Sequence, residues 1–156
     1  MEKEIIIIQT PNQKFSIQKH LLYYSKYFKE ILIKNTRKNI QIEVDSTIMS
    51  LVIDYLKKLD NNNPIEIKFP VSKKIFENPE NWGFRFLSEI PMNQLINLTS
   101  FSKFLGINSL FELCCGRIAF LCLGKKEEDI LKLFNVKNFT EKEKNKIKEE
   151  NKWLNE

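Results

Sequence analysis

One histidine and three cysteines are the residues of this chain best suited to act as a base or a nucleophile, and neither type is placed to do so. His20 stands in the apolar run Leu21, Leu22, Tyr23, Tyr24, the setting of a packed or surface imidazole rather than of a general base. A cysteine nucleophile needs a base within reach to make its thiolate. Cys114, Cys115 and Cys122 lie at the opposite end of the sequence from His20. They form no CxxC and no Cys/His cluster, so no metal-ligand spacing is present. The adjacent acids Glu127-Glu128 and Glu149-Glu150 have no matching pair elsewhere, and helix-start and surface roles account for them. Four glycines cannot supply a phosphate-cradling loop in addition to the turns. The residues therefore predict a non-enzymatic binding module that needs no cofactor and no metal.

The elements that would carry a binding surface are clearest at the C-terminus. A helix from about Ser109 to Leu123 stops at Gly124, a residue suited to the left-handed position after a helix. Its Leu110, Phe111, Leu113, Cys114, Cys115, Ile118, Ala119, Phe120, Leu121, Cys122 and Leu123 leave almost no polar face. A helix apolar all round is either enclosed or half covered by something else. Glu127, Glu128 and Asp129 then favour a second helix start ahead of Ile130, Leu131, Leu133 and Phe134. Thr140-x-x-Glu143 reads as the capping box of a third helix, charged along its length and running to Trp153 and Leu154. Such a helix has little with which to build a core of its own.

The N-terminal half alternates short elements. Ile5 to Gln9, Thr10 to Gln13 and Lys14 to Ser16 predict strand, turn and strand. Helical blocks follow at His20 to Tyr24 and Lys26 to Ile33. Ile40 to Val44 alternates as a half-buried strand does, and Asp45 or Ser46 caps a helix carrying Ile48, Leu51, Val52, Tyr55, Leu56 and Leu59.

Composition fits one domain able to bury a core: 156 residues, 42% hydrophobic. Ile5 to Ile8, preceded by Glu2, Lys3 and Glu4, is too short for a signal peptide or a membrane span, which predicts no membrane insertion. The three cysteines fall on one helix, where neighbours cannot easily bridge, as in a reducing compartment. A formal charge of +5 reflects either an AT-biased genome or attraction for an acidic partner. The lysines are scattered among acids with no basic-aromatic platform, so no nucleic-acid partner is expected.

The C-terminal residues resemble the S-phase-kinase-associated adaptor family. Gly124-Lys125, Glu127-Glu128-Asp129-Ile130, Phe134-Asn135-Val136-Lys137-Asn138, Phe139-Thr140-Glu141 and Glu150-Asn151-Lys152-Trp153 follow the family pattern in order and at its spacing. The acid usual between Asn138 and Phe139 is missing. Trp82, Phe86 and Leu87 fit a second family pattern, while the stretch from Lys34 to Asn81 agrees thinly and lacks the family's acidic insertion. The resemblance implies an α+β chain: a BTB/POZ domain over residues 1–124 and a C-terminal two-helix extension over 125–156. It also implies an adaptor of the cytoplasm or nucleus that binds an F-box protein and links it to a cullin scaffold in a ubiquitin ligase.

Carried over by position, the F-box surface would comprise Phe111, Cys115, Ile118, Phe134, Val136, Asn138, Phe139 and Trp153. The cullin surface would centre on Lys103 and Phe104, where the family has an Asn-Tyr pair. That substitution adds a charge and removes a phenol, which leaves an alternative: a structural subunit that keeps an F-box-type partner in a non-ligase assembly and has lost the cullin. A plain BTB module of the elongin-like kind would end soon after Gly124, and the extension to Trp153 weighs against it.

Overall fold

The computed structural model describes residues 4–34, 38–78 and 80–155. The chain divides into two compact units, Met1–Leu121 and Cys122–Glu156. The first is a small sheet with helices packed on it, and the second is helical, so the chain is α+β.

In the first unit, strand β1 (Ile5–Gln9) pairs antiparallel with β2 (Lys14–Gln18), Ile5 opposite Gln18 and Gln9 opposite Lys14. Thr10 fastens the turn: its backbone N–H and its hydroxyl both donate to the Gln13 carbonyl, at 2.8 and 2.9 Å. On the other side of β1 lies β3 (Asn39–Gln41), parallel to it, giving the order β2-β1-β3. The strand expected from Ile40 to Val44 ends early because β1 runs out. The Ile42 N–H donates to Gln9 O at 3.0 Å, and beyond Gln9 the turn begins. Burial nevertheless keeps the expected alternation, with Ile40 and Ile42 inside and Gln41 and Glu43 outside.

Two short helices, α1 (Lys19–Leu22) and α2 (Lys26–Lys34), stand where the two N-terminal blocks were expected. Asp45 then caps α3 (Ser46–Asp60), its carboxylate accepting from Thr47 N–H at 2.8 Å. Ile48, Met49, Val52, Ile53, Tyr55, Leu56 and Leu59 of α3 are all buried, so this helix forms the middle of the core.

After α3 the chain crosses a segment with one helical turn, α4 (Lys73–Phe76), before α5 (Trp82–Ser88), α6 (Met92–Leu105) and α7 (Asn108–Cys122). Two glycines let that segment lie close. A Cβ at Gly83 would collide with Ile65, and one at Gly116 would sit 2.9 Å from the Phe76 ring and 3.1 Å from Ile67. The joint between α6 and α7 is fixed from two sides. Gly106 adopts φ 67°, which glycine takes without strain, and the buried Ser25 hydroxyl donates to Leu105 O at 2.6 Å.

The second unit holds α8 (Glu127–Leu133) and α9 (Glu141–Glu150). The last helix stops at Glu150 and does not run through to Trp153 and Leu154 as expected. Asn151 leaves helical geometry at φ −118°, its side-chain amide donating back to Ile147 O at 2.8 Å. Lys152–Asn155 then forms a separate 3-10 turn.

A candidate partner-binding surface

On α7 the residues divide by face. Leu110, Leu113, Cys114 and Gly116 are buried, while Phe111, Cys115 and Ile118, spaced as one stripe of a helix, are half-buried. Burial pushes the Cys114 thiol up to about 12, against the hydrogen-bonding effect of Thr99, so this cysteine stays neutral and unreactive. Cys115 is also pushed up by burial, opposed by the positive charge of Lys103 and reinforced by the negative charge of Glu112.

Lys103 and Phe104 close α6 and point to different neighbours. The Lys103 ammonium lies over the Phe111 ring, 5.7 Å from its centroid, inside the range of a cation–π contact. Phe104, 56% exposed, packs its ring 4.8 Å from Tyr27 and 5.9 Å from Phe101. Consecutive residues on a helix are about 100° apart, so one backbone step separates the two side chains. Lys103 therefore joins Phe111 and Cys115, and Phe104 joins an aromatic patch shared with α2.

One group on α7 escaped the sequence reading. Arg117 sits at the end of a stack in which Phe84 and Phe76 are 4.0 Å apart and Phe76 and Phe120 are 5.2 Å apart. Its guanidinium lies 5.4 Å from the Phe120 centroid. Its Nη2 donates to Ser88 O at 3.5 Å, while Nε is buried without an acceptor, and burial lowers the guanidinium pKa. The sequence offered no signal for this, because Phe76, Phe84 and Phe120 belong to three helices.

The second unit exposes what the first would bury. Among its described residues none is buried. Gly124 adopts φ 72° just past α7, and Glu127, Glu128 and Asp129 occupy the first turn of α8, both as the sequence predicts. At the C-terminal end of α8, the Val136 N–H donates to Leu131 O at 2.9 Å and the Asn135 N–H to Lys132 O at 3.0 Å, with Asn135 at φ 53°. That is a Schellman cap in which asparagine takes the left-handed position. It fixes the half-buried Phe134 beside the exposed Val136.

Thr140 and Glu143 form the expected capping box: the Thr140 N–H donates to the Glu143 carboxylate at 2.8 Å and the Glu143 N–H to the Thr140 hydroxyl at 3.3 Å. The Thr140 N–H and, at 2.9 Å, its hydroxyl donate to the Glu143 carboxylate and hold it below its ordinary value. Asn138 is exposed, and Phe139 and Trp153 are 41% and 67% exposed. Phe111, Cys115 and Ile118 thus belong to the first unit, and Phe134, Val136, Asn138, Phe139 and Trp153 to the second.

His20 is exposed, its Nε2 3.1 Å from an Asp60 carboxylate oxygen. Among the described residues no group of three or more His, Cys, Asp or Glu could hold a metal ion. No helix among them is long and apolar enough to cross a membrane.

Known proteins resemble this chain in sequence. Residues 108–154, from the start of α7 to the last turn, match the family model described as "Skp1 family, dimerisation domain". A homolog of S-phase kinase-associated protein 1 from Tetrahymena thermophila is 30% identical over 159 residues, covering 100% of this chain and 91% of the relative. Suppressor of kinetochore protein 1 from Schizosaccharomyces pombe is 26% identical, with 96% of each chain covered. The SCF ubiquitin ligase subunit sconC of Arthroderma otae is 27% identical over 80% of this chain and 81% of its own. With its capped C-terminal helices matched by the family model and its whole length matched by a relative of nearly the same size, the chain belongs to the Skp1 family.

Proposed function

We propose that this protein is a non-enzymatic adaptor that holds an F-box protein with its C-terminal helices and links it to a cullin in a ubiquitin ligase of the cytoplasm or nucleus. On this reading the first unit is a BTB/POZ domain, supported by its order of strand, strand, two helices, strand and helix. The observation that carries the proposal is the second unit's lack of any buried residue among those described, while Val136, Phe139 and Trp153 stand exposed beside well-made caps. Capping and ion pairs fix the local shape of α8 and α9 but supply little burial, and short helices of this kind are marginal in water alone. A partner that covers these side chains would provide the missing hydrophobic contact, and the family resemblance adds Phe111, Cys115 and Ile118 of the first unit and Phe134 and Asn138 of the second to the residues it would touch. Buried aromatics of this sort are common hot spots, each worth about 2 kcal/mol or more. The cullin would meet the end of α6 at the largely exposed Phe104 and at Lys103, whose ammonium over Phe111 also borders the F-box surface.

Lys103 also favours a second reading. With its ammonium over Phe111, the pair presents one aromatic rather than two groups at the end of α6. A chain so changed could keep the F-box-type partner in an assembly that contains no cullin. Affinity purification of the tagged chain followed by mass spectrometry separates the readings. Both predict recovery of an F-box protein, and only the first predicts a cullin. Recovery of neither would rule out the adaptor function.

A further inference from the structure

We propose that Lys103 selects among F-box partners, favouring those that place a carboxylate at the N-terminal end of the α7 stripe. The inference rests on the F-box reading of Phe111, Cys115 and Ile118 and assigns that surface a charge preference. Three observations support it. The Lys103 ammonium stands over the Phe111 ring, at the surface of the stripe rather than away from it. Among the described residues it joins none of the ion pairs, so its charge is available to an incoming acid. Its field also reaches the Cys115 thiol, the next residue of the same stripe.

A helix laid along Phe111, Cys115 and Ile118 must cover Phe111. Doing so removes water from the ammonium above it. An uncompensated charge is costly to desolvate, and a partner carboxylate turns that cost into a charge-assisted hydrogen bond. A partner lysine or arginine at the same place would meet a like charge in a shrinking shell of water, which is a large penalty. Glu112 narrows the geometry further. It is exposed, next to Phe111 in sequence, and its negative charge acts on the same Cys115 thiol. An acid on the partner is therefore favoured towards Lys103 and disfavoured towards Glu112, which fixes register as well as charge.

The test uses the full-length chain and an F-box domain displayed on yeast, with every residue of its docking face varied. The library is sorted against wild type, Lys103→Glu and Lys103→Gln, after thermal melts establish that the three fold alike. Wild type should enrich Asp or Glu at one position, and Lys103→Glu should enrich Lys or Arg at that same position. The best wild-type clone should bind Lys103→Glu about tenfold more weakly at low salt, with Lys103→Gln between them, and the gap should narrow at high salt. A lysine that only completes the C-terminal turn of α6 would move the melts and leave the charge preference untouched. Clones bound equally by all three proteins would overturn the inference while the F-box surface stands. If no clone binds any of the three, the F-box reading itself fails and takes the inference with it.

Discussion

At the scale of single residues, neighbours in sequence have parted company. Lys103 and Phe104 are adjacent, but the ammonium lies on Phe111 and the ring lies on Tyr27 and Phe101. Phe104→Ala should therefore reduce capture of a cullin about tenfold or more in a pull-down, and leave the affinity for an F-box domain unchanged. A parallel loss of both would mean that the aromatic patch supports the fold rather than a partner. The cysteines give a second check at this scale. With Cys114 buried and its thiol raised to about 12, a maleimide should label Cys115 and Cys122 in the native protein and reach Cys114 only on unfolding. An F-box partner covering the α7 stripe should then slow labelling of Cys115.

At the scale of elements, the caps and breaks decide what forms. Glu143 is held in its charged form by the Thr140 N–H and hydroxyl, so its carboxyl titrates below the ordinary 4.5. Its contribution to α9 is complete above that value and is lost as the pH falls through the lowered one. The far-ultraviolet circular dichroism difference between wild type and Glu143→Gln should thus be constant above about pH 4.5 and vanish in stronger acid. Removing residues 140–156 should leave the first unit folded with an unchanged melt and severely weaken F-box binding. In the intact free chain the amides of α9 should exchange quickly, and slowly in the complex.

Much of this was legible in the sequence because helix ends are written locally: Gly124 turns the chain after α7, the acids of α8 favour its first turn by charge, and the Thr140–Glu143 box satisfies backbone groups within three residues. The end of β3 was not, since it depends on where β1 stops, a fact held some thirty residues earlier in the chain. The last helix was read too long because a charged stretch carries no signal for its own end other than Asn151. The segment over α5 and α7 was opaque for a different reason. Its anchoring depends on the absence of side chains at Gly83 and Gly116, and a glycine read alone does not say what will fill its place.

At the scale of the whole molecule, the first unit supplies the buried core and the second supplies exposed surface. Gly116 tests the first of these. Gly116→Ala gains about 1 kcal/mol of helix propensity but sets a Cβ 2.9 Å from the Phe76 ring, which is buried and stacked between Phe84 and Phe120, so it should lower stability in urea unfolding. Gly116→Val adds two methyl groups where the gap is already filled and should cost about 1–3 kcal/mol. Each unit also carries one of the chain's two tryptophans. Trp82 is half-buried, its indole N–H donating to Asn63 O at 3.2 Å and its ring 5.4 Å from that of Tyr55, whereas Trp153 is 67% exposed. Their emission should separate, a shorter-wavelength component from Trp82 and a water-relaxed one from Trp153. Replacing Trp82 by Phe leaves a fluorophore that watches the tail alone, and replacing Trp153 leaves one that watches the core. The chain thus comes with its own optical readout of docking and of unfolding, kept apart without any added label.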